Sequence, residues 1–202
     1  LKFEVNENTL IPRPETEELV EWIIESQKSK VQSQKLEILD IGTGTGCIPI
    51  SLKTNLLQAN VSAIDVSEKA LEVAKRNAQS NKVEVNFIQT NILEVEDLNQ
   101  HFDIIVSNPP YVRNLEKQEI KKNVLDYEPH LALFVEDTDA LLFYRKIAQL
   151  ALENLSPNGL LFFEINQYLG KETVELLENL GFKNIELKKD IYGNDRMIKC
   201  KK

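Results

Sequence analysis

The amino-acid sequence predicts an α/β fold in which a doubly wound, mostly parallel sheet carries helices on both faces. Apolar runs of strand length alternate with segments whose apolar residues recur at helical spacing, which is typical of repeated βα units. A glycine-rich segment, Gly42–Gly46, joins one predicted strand to the following helix. Near the end of the chain, Tyr192-Gly193-Asn194 separates two strand-like segments and indicates an antiparallel hairpin.

In the first half of the chain, apolar periodicity and capping residues define the elements. Apolar residues at intervals of three and four predict an amphipathic helix from Glu15 to about Ser29. Pro49 is compatible with the next helix because it falls in the first turn, and Ser67 is suited to cap a third helix. The other elements predicted here are strands at Leu36–Ile41, Val61–Asp65, Val83–Thr90 and Phe102–Ser107, and helices at Cys47–Leu57 and from Ser67 to about Ser80.

The second half begins with a polar stretch, Arg113–Asn123, for which a helix is the favoured structure. Asp139 is suited to cap a long helix that runs to about Leu155, and Gly181 is suited to end a later helix. Pro157-Asn158-Gly159 has the composition of a turn. The other predicted elements are strands at Leu160–Ile165, Phe182–Lys189 and Arg196–Cys200, and a helix at Lys171–Leu180.

Length, charge and composition limit the class of protein. The 202 residues, 42% of them hydrophobic and 28% charged, suit one globular domain. No apolar run approaches the roughly 18 residues that cross a bilayer, and the net charge of −8 disfavours a broad nucleic-acid or anionic-membrane surface. Two distant cysteines, Cys47 and Cys200, fit a reducing cytoplasm, and with two histidines they form no metal-ligand pattern. Because the chain begins at Leu1, we expect it to be part of a longer protein.

The first functional signal is the glycine-rich segment with an acidic residue after the next strand. In Asp40–Gly46, glycines allow a sharp turn and a close approach of the backbone to a ligand. Asp65 follows at the end of the second predicted strand, where a carboxylate is placed to accept hydrogen bonds from ribose hydroxyls. No lysine of the Walker type follows the glycines. The pair therefore indicates an adenosine-containing cofactor, either a nicotinamide dinucleotide or S-adenosylmethionine.

The second signal is Asn108-Pro109-Pro110-Tyr111, which follows the strand Phe102–Ser107. Its two prolines lack backbone N–H groups, so the carbonyls around them are available to a ligand, and Asn108 adds a side-chain carbonyl. Tyr111 offers an aromatic face. The segment suits a planar NH₂ group that is gripped by two acceptors and stacked on a ring.

Together these segments resemble class I methyltransferases that modify planar NH₂ groups, and more narrowly the release-factor glutamine methyltransferases of the PrmC/HemK type. The similarity extends over essentially the whole chain. Its further landmarks are Leu10–Glu17 with its Pro-Arg-Pro run, Tyr127-Glu128-Pro129, Glu164-Ile165-Asn166-Gln167, Asp190 and Gly193–Arg196.

This resemblance implies a seven-stranded Rossmann-like sheet and a cytoplasmic enzyme of translation termination. It implies a leading linker and helix in residues 1–35, a catalytic domain in residues 36–202, and a helical N-terminal domain that is absent from this chain. It implies S-adenosylmethionine as the methyl donor, S-adenosylhomocysteine as its product, no metal, and peptide chain release factors as substrates, without a membrane or direct nucleic-acid partner. The implied cofactor residues are Gly42, Thr43, Gly44, Thr45, Gly46, Asp65, Asn91, Ile92 and Asn108, and the implied substrate residues are Asn108, Pro109, Pro110 and Tyr111. The family usually has an acidic residue in the position of Asn91, and a small one in that of Pro49.

Methyl transfer explains why Asn108 and Pro109 are the predicted catalytic residues. An amide nitrogen is a weak nucleophile because its lone pair is delocalised into the carbonyl group. The Asn108 side chain and the Pro109 backbone carbonyl are suited to hold its two hydrogens, which orients the nitrogen and favours the positive charge that develops on it. No strong general base is then required before transfer.

Two other functions remain open on the sequence. Adenine and guanine present a similar NH₂ group, so a nucleic-acid methyltransferase is the alternative, although such enzymes usually need a basic track for phosphates. A dinucleotide-binding regulatory module is a third, non-enzymatic function. Arg13 is either a solvated linker residue or part of the site, and Cys47 is expected to be a small buried residue rather than a reactive thiol.

Overall fold

A computed structural model describes residues 1–27, 35–119 and 122–202, and it confirms the predicted fold class. Seven strands form one sheet in the order β3-β2-β1-β4-β7-β9-β8, in which β9 pairs antiparallel with both β7 and β8 and the other neighbouring strands pair in parallel. These strands are β1 (Glu37–Ile41), β2 (Asn60–Asp65), β3 (Asn86–Gln89), β4 (Phe102–Ser107), β7 (Leu155–Glu164), β8 (Lys183–Lys189) and β9 (Asp195–Lys201). A separate parallel pair consists of β5 (Val112–Arg113) and β6 (Phe134–Val135).

Helices cover both faces of the sheet, as expected for a doubly wound fold. They are α1 (Pro14–Gln27), α2 (Cys47–Asn55), α3 (Glu68–Ser80), α4 (Lys122–Tyr127), α5 (His130–Leu133), α6 (Leu142–Asn154) and α7 (Gly170–Leu180). One hydrophobic cluster packs α6 and α7 against one face, and a second packs α1 and α2 against the other. In the part of the chain that is described, no helix has both the length and the apolar character that a bilayer crossing requires.

Local capping signals predicted two helix boundaries correctly. The Ser67 hydroxyl accepts a hydrogen bond from the Ala70 N–H at 3.2 Å, so α3 begins where the sequence places it. Gly181 ends α7 in the left-handed conformation, with φ of 98°. The helix α1 begins at Pro14, and its predicted end at Ser29 lies outside the described residues.

The cap predicted at Asp139 is wrong. Asp139 ends a short 3₁₀ turn, and α6 begins three residues later at Leu142. The Asp139 carboxylate instead accepts hydrogen bonds from both terminal nitrogens of Arg145 at 2.9 Å. The N-cap position of α6 is Leu141, which provides no side-chain cap.

Three other boundaries differ from the sequence prediction. The strand expected at Val83–Thr90 is reduced to the four residues of β3, because this edge strand pairs with β2 over that length only. The polar stretch Arg113–Asn123 is divided between β5, a 3₁₀ helix at Asn114–Glu119 and the start of α4. The turn expected at Pro157-Asn158-Gly159 is an irregularity inside β7, where Asn158 has φ of 70° and the register with β4 shifts.

The carboxyl ends of the parallel strands bring the predicted functional segments to one edge. Gly42–Gly46 follows β1, Asp65 ends β2 and Asn108 follows β4. Glu164 ends β7 at the same edge. Ligands of open α/β sheets bind in this position.

Candidate active site

A cavity of about 340 Å³ opens at the carboxyl edge of the sheet. Most of the predicted site residues line it, namely Gly42, Thr43, Gly44, Thr45, Asp65, Asn91, Ile92, Asn108, Pro109 and Pro110. Two predicted residues are placed differently. Gly46 packs so closely on α3 that an added Cβ would lie 3.1 Å from the Ala74 Cβ, and Tyr111 packs against the hydrophobic core.

The glycine loop is shaped by backbone conformations that favour glycine. Gly42, Gly44 and Gly46 have φ values of 77°, 52° and 78°. The backbone N–H groups of Gly42 and Thr43 both donate to the Ile64 carbonyl, at 2.9 and 3.0 Å, which fixes the loop against β2. An added Cβ at Gly44 would meet nothing within 4 Å, so this residue faces open space.

Asp65 is held by the glycine loop and by the turn that follows β2. Its Oδ2 accepts from the Gly44 N–H at 2.8 Å, and its Oδ1 accepts from the Ser67 N–H at 2.9 Å. Burial raises the pKa of Asp65, an effect that these backbone donors oppose. Each carboxylate oxygen retains a lone pair for a ligand, so the fixed carboxylate is a preorganised acceptor at the cavity wall.

Asp40 lies below the loop and is the most unusual carboxylate of the site. The residue is fully buried, and among the described residues neither of its carboxylate oxygens has a hydrogen-bond partner, nor does the Thr43 hydroxyl. Burial raises the pKa of Asp40 to about 7. The Thr43 hydroxyl opposes this rise in pKa, and Asp40 does not itself line the cavity. An unpartnered buried carboxylate is costly, and both protonation and a nearby positive charge would lower that cost.

Asn91 and Ile92 line the cavity on the β3 side. The Asn91 Oδ1 accepts from the Leu93 N–H at 3.2 Å, and its Nδ2 donates to Glu94 at 2.8 Å. These bonds cap the short 3₁₀ helix Ile92–Glu94. Asn91 therefore shapes this wall through its own local contacts, whereas Ile92 contributes an apolar surface.

The Asn-Pro-Pro-Tyr segment is tied to its surroundings at both ends. Before it, the Ser107 hydroxyl donates to the Ile41 carbonyl at 2.7 Å and joins β4 to β1. After it, the Asn166 Nδ2 donates to the Tyr111 carbonyl at 2.9 Å. The Asn108 Nδ2 lies 3.5 Å from the Thr16 hydroxyl oxygen and donates to it. These contacts hold a segment whose prolines have no backbone N–H to donate.

Glu164 is a buried carboxylate behind the same segment. Its Oε2 accepts from the Thr16 hydroxyl at 2.7 Å, and its Oε1 accepts from the Tyr111 hydroxyl at 3.1 Å. Burial raises the pKa of Glu164, and the bond from Thr16 acts in the opposite direction. Neither Thr16 nor Glu164 is predicted as a site residue from the sequence, although both lie in segments that carry the family resemblance.

Arg13 belongs to a contact between two distant landmarks rather than to a solvated linker. Its guanidinium pairs with the buried carboxylate of Glu128, which also accepts from the Ile11 N–H at 3.3 Å. Residues 8–13 line the cavity, so this pair holds part of the cavity wall in place. The sequence identified Leu10–Glu17 as a landmark, but it gave no chemical signal at Asn8 and Thr9, which also line the cavity.

Cys47 is half-buried and lines the cavity, whereas the sequence predicts a buried residue. Burial of the thiol raises the pKa of Cys47 to about 12, which keeps it protonated. No cluster of three histidine, cysteine, aspartate or glutamate side chains suited to a metal occurs within the described ranges.

Comparison with known proteins agrees with this geometry. The family model described as "Methyltransferase small domain" matches residues 21–130. The release factor glutamine methyltransferase of Flavobacterium psychrophilum is 72% identical over 199 residues, which is 98% of this chain and 70% of that protein. The chain belongs to the release factor glutamine methyltransferase family. A member from Bacteroides thetaiotaomicron is 46% identical, with 97% of this chain and 69% of that protein covered.

Solved structures show the same fold at low sequence identity. A methyltransferase from Pyrococcus furiosus has a TM-score of 0.67 and 20% identity, with 98% of this chain and 87% of that chain covered. The hMettl16 catalytic domain, solved with an RNA hairpin, has a TM-score of 0.74 and 16% identity, covering 99% and 75%. At these identities the likeness supports the class I methyltransferase fold alone.

Proposed function

We propose that this protein transfers a methyl group from S-adenosylmethionine to the side-chain amide nitrogen of a glutamine in peptide chain release factors. The observation that carries the proposal is that Asn108-Pro109-Pro110 lines the same cavity as the glycine loop and Asp65. A family member with 72% identity is named for this activity. The acceptors for a planar amide and the elements for an adenosine ligand therefore lie side by side.

The cofactor is proposed to lie along the glycine loop. Asp65 accepts hydrogen bonds from its ribose hydroxyls, while Ile92 contributes apolar surface beside Asn91. The buried, unpartnered carboxylate of Asp40 favours the cofactor's positive charge from below the loop. When bound, S-adenosylmethionine supplies an electrophilic methyl group and leaves as S-adenosylhomocysteine.

The substrate amide is proposed to be held by Asn108 and Pro109. Their two carbonyl oxygens accept the two hydrogens of the glutamine NH₂ group, which aims the nitrogen at the methyl carbon over about 3–3.5 Å. As the C–N bond forms and the methyl–sulfur bond breaks, positive charge develops on the nitrogen, and these acceptors stabilise it. The nitrogen then loses one proton to solvent, which leaves a neutral N-methyl amide.

In the proposed reaction, Tyr111 has a role other than stacking its ring on the substrate amide. Its hydroxyl is bonded to Glu164, and its carbonyl accepts from Asn166. We propose that the anchored tyrosine fixes the backbone of Pro109 and Pro110 and limits the depth to which the glutamine side chain enters. Residues 1–35, proposed as a leading segment to the catalytic domain of residues 36–202, contribute one wall of the cavity through residues 8–13.

The proposed transfer of a methyl group to a glutamine amide implies a protein partner. The proposed substrate is a protein, the peptide chain release factor, and a cytoplasmic enzyme without a membrane or direct nucleic-acid partner fits it. The net charge of −8 supports this choice, because a phosphate backbone would be repelled by most of the surface.

The test offers the purified protein S-adenosylmethionine with a labelled methyl group and, in separate reactions, a release factor, RNA and DNA. We expect label in the release factor alone, and mass spectrometry should place it on one glutamine. A release factor in which that glutamine is replaced by asparagine is the matched control and should stay unlabelled. Label in RNA or DNA instead would overturn the assignment of substrate.

A further inference from the structure

Thr16 connects a buried carboxylate to the proposed catalytic asparagine. The residue is 5% exposed and lies in the first turn of α1, yet its hydroxyl faces the carboxyl ends of β4 and β7. It donates to Glu164 at 2.7 Å and accepts from the Asn108 Nδ2 at 3.5 Å. The three side chains thus form a chain of hydrogen bonds from the sheet edge to the cavity.

The Glu164 carboxylate fixes which group donates and which accepts in each of these hydrogen bonds. Both oxygens of Glu164 accept from hydroxyl groups, those of Thr16 and Tyr111. The Thr16 hydroxyl has a single hydrogen, which it uses on Glu164. Its oxygen is then left as an acceptor, and only the NH₂ group of Asn108, not its carbonyl, can satisfy it. The Asn108 amide is held with its NH₂ toward Thr16.

The orientation of the Asn108 amide decides which of its two groups faces the cavity. The two branches of an amide point in different directions, so an NH₂ group fixed on Thr16 leaves the Asn108 carbonyl oxygen for the cavity that Asn108 lines. In the opposite orientation an NH₂ group would face the substrate NH₂, and two donors would meet. The reaction proposed above needs an acceptor at that point.

We infer that Thr16 is a positioning residue, which sets the amide orientation of Asn108 so that its carbonyl oxygen accepts from the substrate amide. This inference rests on the proposed function for its catalytic consequence, whereas the amide orientation itself exists without substrate. Tyr111 occupies the other oxygen of Glu164, so both hydrogen bonds to this carboxylate come from hydroxyl groups beside the Asn-Pro-Pro-Tyr segment.

The main test replaces Thr16 with valine, which keeps the shape and removes the acceptor, and with serine, which keeps the hydroxyl. We expect Thr16→Val to lower kcat by about fivefold to tenfold, the worth of one hydrogen bond, with little change in the Kd for S-adenosylmethionine. Thr16→Ser should restore most of the rate. Thr173→Val is the matched control, because Thr173 is equally buried and its hydroxyl donates only to the Leu169 carbonyl at 2.7 Å.

A purely structural role for Thr16 predicts a different result. Thr16→Val would then melt at a lower temperature, as Thr173→Val does, but keep a normal kcat per folded molecule, and that result would overturn the inference. Equal losses of kcat in Thr16→Val and Thr16→Ser would also overturn it. If the valine variant does not fold, Thr16→Ala removes the same acceptor with no added bulk.

A second measurement does not depend on the substrate. In protein labelled with ¹⁵N-asparagine, the side-chain NH₂ signal of Asn108 is identified by its absence from Asn108→Ala. Its hydrogens should exchange with solvent about fivefold faster in Thr16→Val than in the native protein or Thr16→Ser. Unchanged exchange would refute the amide orientation. If exchange responds but no release factor is methylated by the native protein, the proposed function fails and the positioning of Asn108 stands.

Discussion

Two buried carboxylates with different surroundings lie behind the cavity. Glu164 accepts two hydroxyl hydrogen bonds, which favour its ionised form and so offset part of the cost of burial. Asp40 accepts none from the described residues, and its pKa is raised to about 7. The same type of side chain therefore anchors hydrogen bonds in one position and is buried without a hydrogen-bond partner in the other.

Asp40 makes the stability of the cofactor-free protein depend on pH. Its pKa is near 7 in the folded chain and near 3.8 when unfolded, so the folded state binds the proton more tightly and loses stability as the pH rises between these values. Relative to Asp40→Asn, the native protein should lose about 2 kcal/mol of unfolding free energy between about pH 5.5 and pH 8.5. Urea unfolding at the two pH values measures this difference.

An exposed aspartate gives the control for that experiment. Asp97→Asn removes the same charge from the surface, and its stability should follow the native protein at both pH values. Parallel stability curves for the native protein and Asp40→Asn would contradict the expectation. Asp40→Asn should also bind S-adenosylmethionine more weakly, since the neutral amide no longer balances the cofactor's positive charge.

Asn108 should contribute mainly to the rate of methyl transfer and less to cofactor affinity. Asn108→Ala removes one acceptor from the transition state, and we expect kcat to fall by about 10²–10³. Asn108→Asp keeps an acceptor but adds negative charge near the cofactor, so its loss should be divided between rate and cofactor affinity. Single-turnover rates, measured beside thermal melts, separate this role from that of a structural turn. An Asn108→Ala protein that melts lower yet turns over normally per folded molecule would exclude the catalytic role.

At the scale of elements, one ion pair joins the segment before α1 to the segment after α4. The Arg13 side chain is 40% exposed, whereas its partner Glu128 is 3% exposed. Glu128 also receives the Ile11 N–H, so its carboxylate holds two points of the segment that walls the cavity. Helix α1 packs on α2 and β7 and carries this segment to the site.

Loss of Glu128 should loosen this wall. Glu128→Ala removes hydrogen bonds to a charged acceptor, which we expect to cost about 1.5–3 kcal/mol, and Arg13 can turn to solvent. Hydrogen exchange followed by mass spectrometry should show faster exchange in residues 8–13. Glu4→Ala breaks the exposed pair with Arg76, whose partners are 52% and 46% exposed, and should leave that peptide unchanged. Equal exchange in both variants would show that Glu128 does not hold the wall.

At the scale of the whole molecule, one sheet carries both hydrophobic clusters and every proposed ligand contact. The proposed cofactor-binding edge and the core share the same strands, since Ile41 packs in one cluster and precedes the glycine loop. Binding at this edge should therefore stabilise the whole fold rather than a separate lobe.

S-adenosylmethionine should raise the melting temperature of the protein. At a concentration of about 100 times the Kd, the stabilisation is about 2.7 kcal/mol, which corresponds to roughly 5–10 °C for a chain of this size. Asp65→Ala should weaken binding by roughly 10–150-fold, and the shift at the same concentration should shrink to a few degrees or less. A folded Asp65→Ala protein with the native shift would remove Asp65 from the cofactor site.

The sequence alone determined the architecture and the edge on which the site lies. Strand and helix periodicities differ, so the alternation of β and α elements is visible in local patterns such as the one around Phe102–Ser107. The rule that ligands bind at the carboxyl ends of parallel strands then places Gly42–Gly46, Asp65 and Asn108 together. These predictions succeeded because they depend on residues close in sequence and on a general property of parallel sheets.

Only the tertiary structure decided which side chains support the site. Thr16 meets Glu164 across 148 positions of the sequence, and Arg13 meets Glu128 across 115. The cap expected at Asp139 failed for a related reason, because α6 begins at Leu142 and the carboxylate pairs with Arg145 inside that helix. A local pattern shows which groups a residue can offer, but its partner depends on how α1 and the loops pack on the sheet. That packing is the sum of many weak, long-range contacts that no short stretch of sequence contains.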